Sequence, residues 1–382
     1  MDEMVAKKII ECLENLSGNI SLGVDGYVDE VWQVVESRSG RDSYALYNKM
    51  RDLGETIVKC GEGGLAREII RKRRTYGGFT GNTGKAIGRL GLRPTMIGMY
   101  GKDSYDPAFE PFHDMCKLIS VGDPAICHIF EFADGKAMFP YMENILDFNW
   151  QTLINVIGFD RAREIFINSD IIALGYWSSM PSFDNFVSSL CENFIKGGRC
   201  RQLFFDFADM RKRDKKSLKY TLEHLAALNK TVPMTLSLNE NEAELLFSYY
   251  GEHFCETQLE KSAARVREQI GLSEIVIHTP HVAAAASAED GTAIVAQHYC
   301  QNAVITAGAG DTFNGGYMAA SLGGLGLSER LIVANATAGF YVGNGYAPDV
   351  DDLVDKLRSI GIYSASTNCH SNVPDSLMFN TP

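Results

Sequence analysis

The chain has 382 residues, of which 45% are hydrophobic and 22% charged, and its formal net charge is -12. This length suits one large α/β domain with insertions, and this composition supports a core and argues against broad disorder. The acidic balance argues against a nucleic-acid duplex as partner.

Residues 1–18 (MDEMVAKKIIECLENLSG) carry acids early and read as an amphipathic helix with Ile9, Ile10, Leu13 and Leu16 on one side, not as a signal peptide. No apolar run approaches the roughly 20 residues that cross a bilayer, so no membrane partner is expected. Nine cysteines occur without a C-x-x-C pair. That pattern suits a reducing compartment, predicts a cytoplasmic protein and speaks against zinc.

Residues 19–26 (NISLGVDG) predict a strand ending in a turn, and 28–35 continue extended. Residues 36–76 are polar, charged and helix-like. Within them Arg71-Lys72-Arg73-Arg74 reads as a solvated helix end, with an anion-attracting patch as the alternative. Gly77-Gly78 leads into a helix to about Leu90, followed by a strand over 94–101. Residues 127–132 and 136–141 flank Ala133-Asp134-Gly135, which signals a hairpin. Apolar runs at 171–175, 202–206, 233–238 and 274–277 read as buried strands separated by helical patterns. Together these predict an α/β fold with a doubly wound, mostly parallel sheet, which places ligands at the carboxyl ends of its strands. Residues 364–382 read as a polar tail.

Three motifs fail on inspection. Gly81-Asn82-Thr83-Gly84-Lys85 lacks the outer glycine and the following Ser or Thr of a phosphate loop. Gly61-Glu62-Gly63-Gly64-Leu65-Ala66 follows an expected strand at 55–60 and resembles a dinucleotide fingerprint, but lacks the acid about 20 residues on. It leaves an oxidoreductase as the weakest of three functional readings. His278 and His281 flank Pro280 without a third metal ligand nearby.

Four segments agree with one another. Residues 306–317 (TAGAGDTFNGGY) put the small turn Gly308-Ala309-Gly310 and then Asp311 at a helix start. Bare backbone N–H groups and the helix dipole make an anion site there. A lone carboxylate beside an anion site suits a base that takes a proton from a nucleophile attacking phosphate. The plainer alternative is Asp311 as N-cap. Gly77 and Gly78, followed by Asn82, let a polyol approach the backbone and meet an amide; an ordinary glycine turn is the alternative. Asn239 and Glu242, after a buried strand, suit hydrated Mg²⁺ and phosphate, and they fit a capping box equally well. Asp29 can accept two sugar hydroxyls, with Asp25 its close competitor.

On these residues the chain resembles the ribokinase-like, or PfkB, family of sugar and nucleoside kinases, from about Ile20 to Val350. GAGDTFNGG carries the most specific part of that resemblance. Gly77, Gly78, Asn82, Leu90 and Gly91, and then Asn239, Glu240 and Glu242, fall in the family's order. The resemblance implies a single kinase domain over residues 1–363 with a small β lid drawn from about 29–76 and 127–141. It implies ATP as co-substrate, Mg²⁺ as cofactor, and a small sugar or nucleoside as acceptor. It makes Asp311 the catalytic base and Gly308, Ala309 and Gly310 the anion hole. Asp29, Asp25, Gly77, Gly78 and Asn82 would hold the substrate. Asn239, Thr279, Thr306 and Asn335 would face the nucleotide, and Glu242 the metal. The lid is the implied surface for a homodimer.

The chain also departs from the family. Ile305-Thr306-Ala307 replaces an acid-bearing run, which removes the usual support for monovalent-cation activation. Pro280 and Ala283 stand where the nucleotide loop usually has glycines. That change motivates the second reading, a catalytically weak sugar- or nucleoside-binding protein that kept the fold.

Overall fold

A computed structural model describes residues 3–297 and 300–366, with side chains described through residue 359. The central sheet has nine strands in the order β14-β13-β12-β11-β10-β9-β1-β5-β6. They are β1 (Ile20–Gly23), β5 (Thr95–Gly98), β6 (Lys117–Ser120), β9 (Ile171–Gly175), β10 (Gln202–Asp206), β11 (Met234–Asn239), β12 (Glu274–His278), β13 (Val282–Ser287) and β14 (Gly291–Ala296). The pairings from β6 through to β12 are parallel, and β12, β13 and β14 close one edge as an antiparallel meander.

Every residue of β9 is buried. Its alternate side chains feed two separate cores: Ile172 and Leu174 on one face, Ile171 and Ala173 on the other. Helices cover both faces, so the strands read in sequence as continuous apolar runs rather than as alternation. The chain is thus α/β with a mostly parallel sheet flanked by helices.

A second, five-stranded sheet lies outside this stack. Its backbone is β2 (Tyr27–Arg38), which starts just past the carboxyl end of β1. β2 pairs antiparallel with β4 (Ile69–Gly77) and β3 (Tyr44–Leu46), and parallel with β7 (Ala125–Phe132). β8 (Gly135–Tyr141) completes the 127–141 hairpin. This small sheet is the lid.

Residues 36–76 differ from expectation. They hold β3, the helix Met50–Lys59 and β4. Residues 55–60, expected as a strand, fall mostly in that helix, so Gly61 to Ala66 does not follow a strand and loses the context of a dinucleotide site. The basic run 71–74 is strand, not helix end. Among the described residues β4 pairs only with β2, and charged side chains suit such an edge. Arg74 is bidentate to Asp106, with both N–O distances 2.6 Å, and this ties the lid to the main body. At the C-terminus the helix Val350–Ser366 runs past the expected start of the tail at residue 364; residues 367–382 lie outside the described residues.

Candidate active site

The helix Ala309–Leu322 begins beside the carboxyl ends of β10, β11 and β12. Its N-cap is Gly308, at φ 80°, so Asp311 is the third helical residue and not the cap. A side chain on Gly308 would also crowd Asn82, whose Cγ lies 2.9 Å from the position of a Cβ. Farther along, a Cβ on Gly315 would lie 2.7 Å from that of Ala86, and one on Gly316 would lie 2.6 Å from Thr337 Oγ1. The glycines of FNGG therefore let this helix press against the helices Gly78–Arg89 and Leu327–Asn344.

Among the described residues, the Gly310 and Asp311 amides meet no carbonyl of the protein. The Ala309 amide does: it donates to Thr306 O at 3.2 Å. Fewer first-turn amides are open than the sequence suggested, because the turn that precedes the helix closes on itself.

Asp311 lines a cavity of about 290 Å³ with Gly308, Ala309, Gly310, Asp206 and Glu242. Its Oδ2 accepts from Asn82 Nδ2 at 2.8 Å, and Thr83 Oγ1 donates to its carbonyl at 3.1 Å. Burial first, and then the charge of Asp206, push its proton affinity well above the ordinary carboxylate range; the Asn82 bond opposes this.

Asp25, Asp29, Gly77 and Gly78, the expected substrate residues, lie together where β2 pairs with the end of β4. Asp25 is 1% exposed. Its Oδ1 accepts from the Thr80 amide at 3.0 Å, while its Oδ2 is buried without a partner. Burial pushes its pKa up to about 7. Asp29 stands on β2 against Gly77, where a Cβ would lie 2.6 Å from its Cγ. Burial raises its pKa to about 6, opposed by Lys136 and Arg73. Gly78, at φ 80°, leaves the space beside Asp25 Oδ2 open. Asn82, expected at the substrate, donates its Nδ2 to Asp311 Oδ2.

A prokaryotic ketohexokinase family model matches residues 1–359. The chain belongs to that family. A ketohexokinase of Haloferax volcanii is 28% identical over 361 residues, covering 92% of this chain and 95% of its own. Two solved ribokinases share the fold. That of Arabidopsis thaliana, complexed with ribose and ATP, gives a TM-score of 0.63 at 17% identity, over 90% of this chain and 99% of its own. That of Thermotoga maritima gives 0.62 at 16%, over 89% and 99%. The chain is a carbohydrate kinase of ribokinase fold.

In this kinase a second cavity, of about 470 Å³, adjoins the first and shares Asn239, His278, Thr306 and Gly310 with it. Phe313, Ala338, Gly339 and Val342 give it an apolar wall. Thr279 lies on its rim, where its hydroxyl accepts from the His281 and Val282 amides at 3.1 and 3.0 Å. Those bonds make the loop a tight strand-to-strand turn with no positive φ at 279–283, in keeping with Pro280 and Ala283 in place of glycines. Asn335 lines neither cavity. It lies a turn below Ala338 and Gly339 and points its Nδ2 at Val295 O, 3.4 Å away.

Asn239 and Glu242 form the capping box: Glu242 N donates to Asn239 Oδ1 and Asn239 N to Glu242 Oε2, each at 3.0 Å. Both still line the first cavity. Burial, then Asp206 and Asp209, push Glu242 well above the ordinary range. Among the described residues no cluster of three or more His, Cys, Asp or Glu could hold a metal directly.

Sequence reasoning left Asp206, Asp209 and Arg211 unassigned, although all three line the first cavity. The signal was the string 206–211 (DFADMR), which puts two acids and a basic side chain at the end of a buried strand. His278 was weighed as a metal ligand. It is a neutral ring, its pKa lowered by burial to about 4. Its Cε1 would lie 2.8 Å from a Cβ on Gly310.

Proposed function

We propose that this kinase transfers the terminal phosphoryl group of ATP to an alcohol of a ketohexose, with Asp311 as the base. The ketohexose comes from the name of the Haloferax relative and of the matching family. The observation that carries the mechanism is the position of Asp311. It lines the first cavity beside the open Gly310 and Asp311 amides and accepts from Asn82, and the second cavity begins at its neighbour Gly310.

In this reading Asp25 Oδ2 and Asp29 accept sugar hydroxyls, and Gly77 and Gly78 leave room for the ring. As the hydroxyl oxygen bonds to phosphorus, its proton passes to Asp311 and the bond to the ADP oxygen breaks. The Gly310 and Asp311 amides and the helix dipole hold charge on the phosphoryl oxygens. The nucleotide lies in the second cavity, its base along Phe313, Ala338 and Val342, with Thr279 and Thr306 beside it.

The residues present fit Mg²⁺ in hydrated form. Carboxylates crowd the first cavity and raise one another's proton affinity, yet no direct protein cage exists among the described residues. When bound with the nucleotide, Mg²⁺ supplies charge neutralisation on the phosphates. Glu242 would reach it through water. We assign the reaction to the cytoplasm from the cysteine pattern. Among the described residues no helix is long and apolar enough to cross a membrane.

The test is phosphate transfer from ATP to a panel of ketohexoses, ribose and nucleosides. Turnover is expected on a ketohexose. Turnover confined to ribose or nucleosides would overturn the substrate assignment. The exposed Met138, Phe139 and Tyr141 of β8 lead us to assign the lid to a second copy of the chain. Sedimentation of a monomer at micromolar concentration would remove that assignment.

A further inference from the structure

Among the described residues only two non-glycine residues hold a positive φ: Tyr176 at 63° and Ala208 at 56°. Such a conformation is costly for a residue that carries a Cβ and persists only where its surroundings impose it. Both residues hold Asp206. The Tyr176 amide donates to its carbonyl at 2.9 Å, and the Ala208 amide to its Oδ1 at 2.9 Å. The other carboxylate oxygen accepts from Asn314 Nδ2 at 2.8 Å. Asn314 is fully buried, and its Oδ1 lies 2.6 Å from Ser237 Oγ on the next strand. With the Ser237 hydroxyl donating to that oxygen, the amide nitrogen is left to face Asp206. Burial raises the proton affinity of Asp206, and the N–H donors on both of its oxygens oppose that and favour its ionised form.

Asn314 follows Asp311 by three residues on one helix, so the two side chains are neighbours on the same face. The group that Asn314 grips is thereby brought alongside Asp311, and both carboxylates line the one cavity. Asp311 receives a single side-chain donor, from Asn82. Two carboxylates facing one cavity do not readily ionise together, and the better-donated one keeps the charge.

We propose that Asp206, gripped by Asn314, is a positioning residue for phosphoryl transfer: its fixed charge makes the neighbouring Asp311 a stronger base. This rests on the reading of Asp311 as the base. The proton still moves from the sugar hydroxyl to Asp311; Asp206 exchanges none. Other charges around Asp311 do not replace it. Asp25 and Asp29, from the β1–β2 side, contribute less than Asp206. Glu242, on the helix Glu240–Tyr249, is itself driven toward the neutral form. His278, at the end of β12, is neutral. Tyr176 and Tyr341, both pushed upward, are uncharged phenols. Arg211, the basic side chain at the cavity, is paired with Asp209.

The experiment is the pH profile of kcat/KM for ATP and a ketohexose in the unaltered enzyme, Asp206→Asn and Asn314→Ala. In the unaltered enzyme the rate falls on the acid side as Asp311 takes up a proton. Asp206→Asn removes the repelling charge, so that acid limb moves to lower pH by about one unit, and the plateau falls because a weaker base remains. Asn314→Ala removes a donor from Asp206, which then neutralises more readily, and moves the limb the same way. A loss of rate with no movement of the limb in either variant would leave Asp206 a structural residue and overturn the proposal. Should the variants not fold, carboxyl-detected NMR of the unaltered protein reads the pair directly. Two separated titration steps at the Asp206–Asp311 pair are expected, and independent titration at ordinary values would overturn it. Absence of turnover on every sugar by the unaltered enzyme would instead sink the kinase reading of Asp311, while the NMR titration would still decide the coupling.

Discussion

At the scale of the residue, Asp25 ties stability to pH. It is buried with an oxygen unpartnered, and its pKa stands near 7 against an ordinary 3.8. A folded-state value above the unfolded one gives stability that is full below about 4 and is lost as pH rises through about 7. Asp25→Asn removes that loss. At pH 8 the variant should be the more stable protein by about 4 kcal/mol, with the gap closing near pH 4. It should also bind sugar far more weakly. Thermal melts across pH check this; a variant less stable than the parent at pH 8 would contradict it.

Residue by residue, the sequence was most readable where backbone geometry dictates the letters. GAGD was legible because Gly308 needs a positive φ and Gly310 needs the space beside His278. Asp206 was not, because its importance comes from Tyr176 and Asn314, at distant sequence positions, meeting it in the fold. The Ala309 amide was miscounted for a related reason. Whether a first-turn N–H is free depends on the path of the preceding turn, which small residues leave open.

At the scale of the element, the parallel strands were legible as apolar runs and the 127–141 hairpin by its turn. The basic run of β4 was not. Four consecutive cations carry no period, and the charge suits an edge strand as well as a helix end. Its structure gives Arg74 a function of its own. The guanidinium is forked onto Asp106, which also caps the short helix Pro107–Phe112 through the Ala108 amide. β4 ends at Gly77, against Asp29. Arg74→Gln should therefore loosen the lid where it meets the sugar site. We expect KM for the ketohexose to rise about tenfold, as for a lost charge-assisted bidentate pair, with a much smaller change in KM for ATP. Equal changes in both constants, or none, would show that this tie does not govern the lid.

At the scale of the whole molecule, the long strand β2 joins the two sheets, and the site lies where the lid meets the carboxyl ends of the central strands. The cost of this arrangement is concentrated charge. Asp25, Asp29, Asp206, Glu242 and Asp311 each hold protons more tightly than an ordinary carboxylate, with burial the leading cause in every case. The central claim is that Asp311 alone among these acids takes the substrate proton. The direct measurement is single-turnover phosphate transfer from ATP to the ketohexose by the parent enzyme and by Asp311→Asn, with sugar binding measured on both. The predicted result is a loss of about a thousandfold or more in the transfer rate with sugar affinity held. Transfer by Asp311→Asn at the parent's rate would contradict the account.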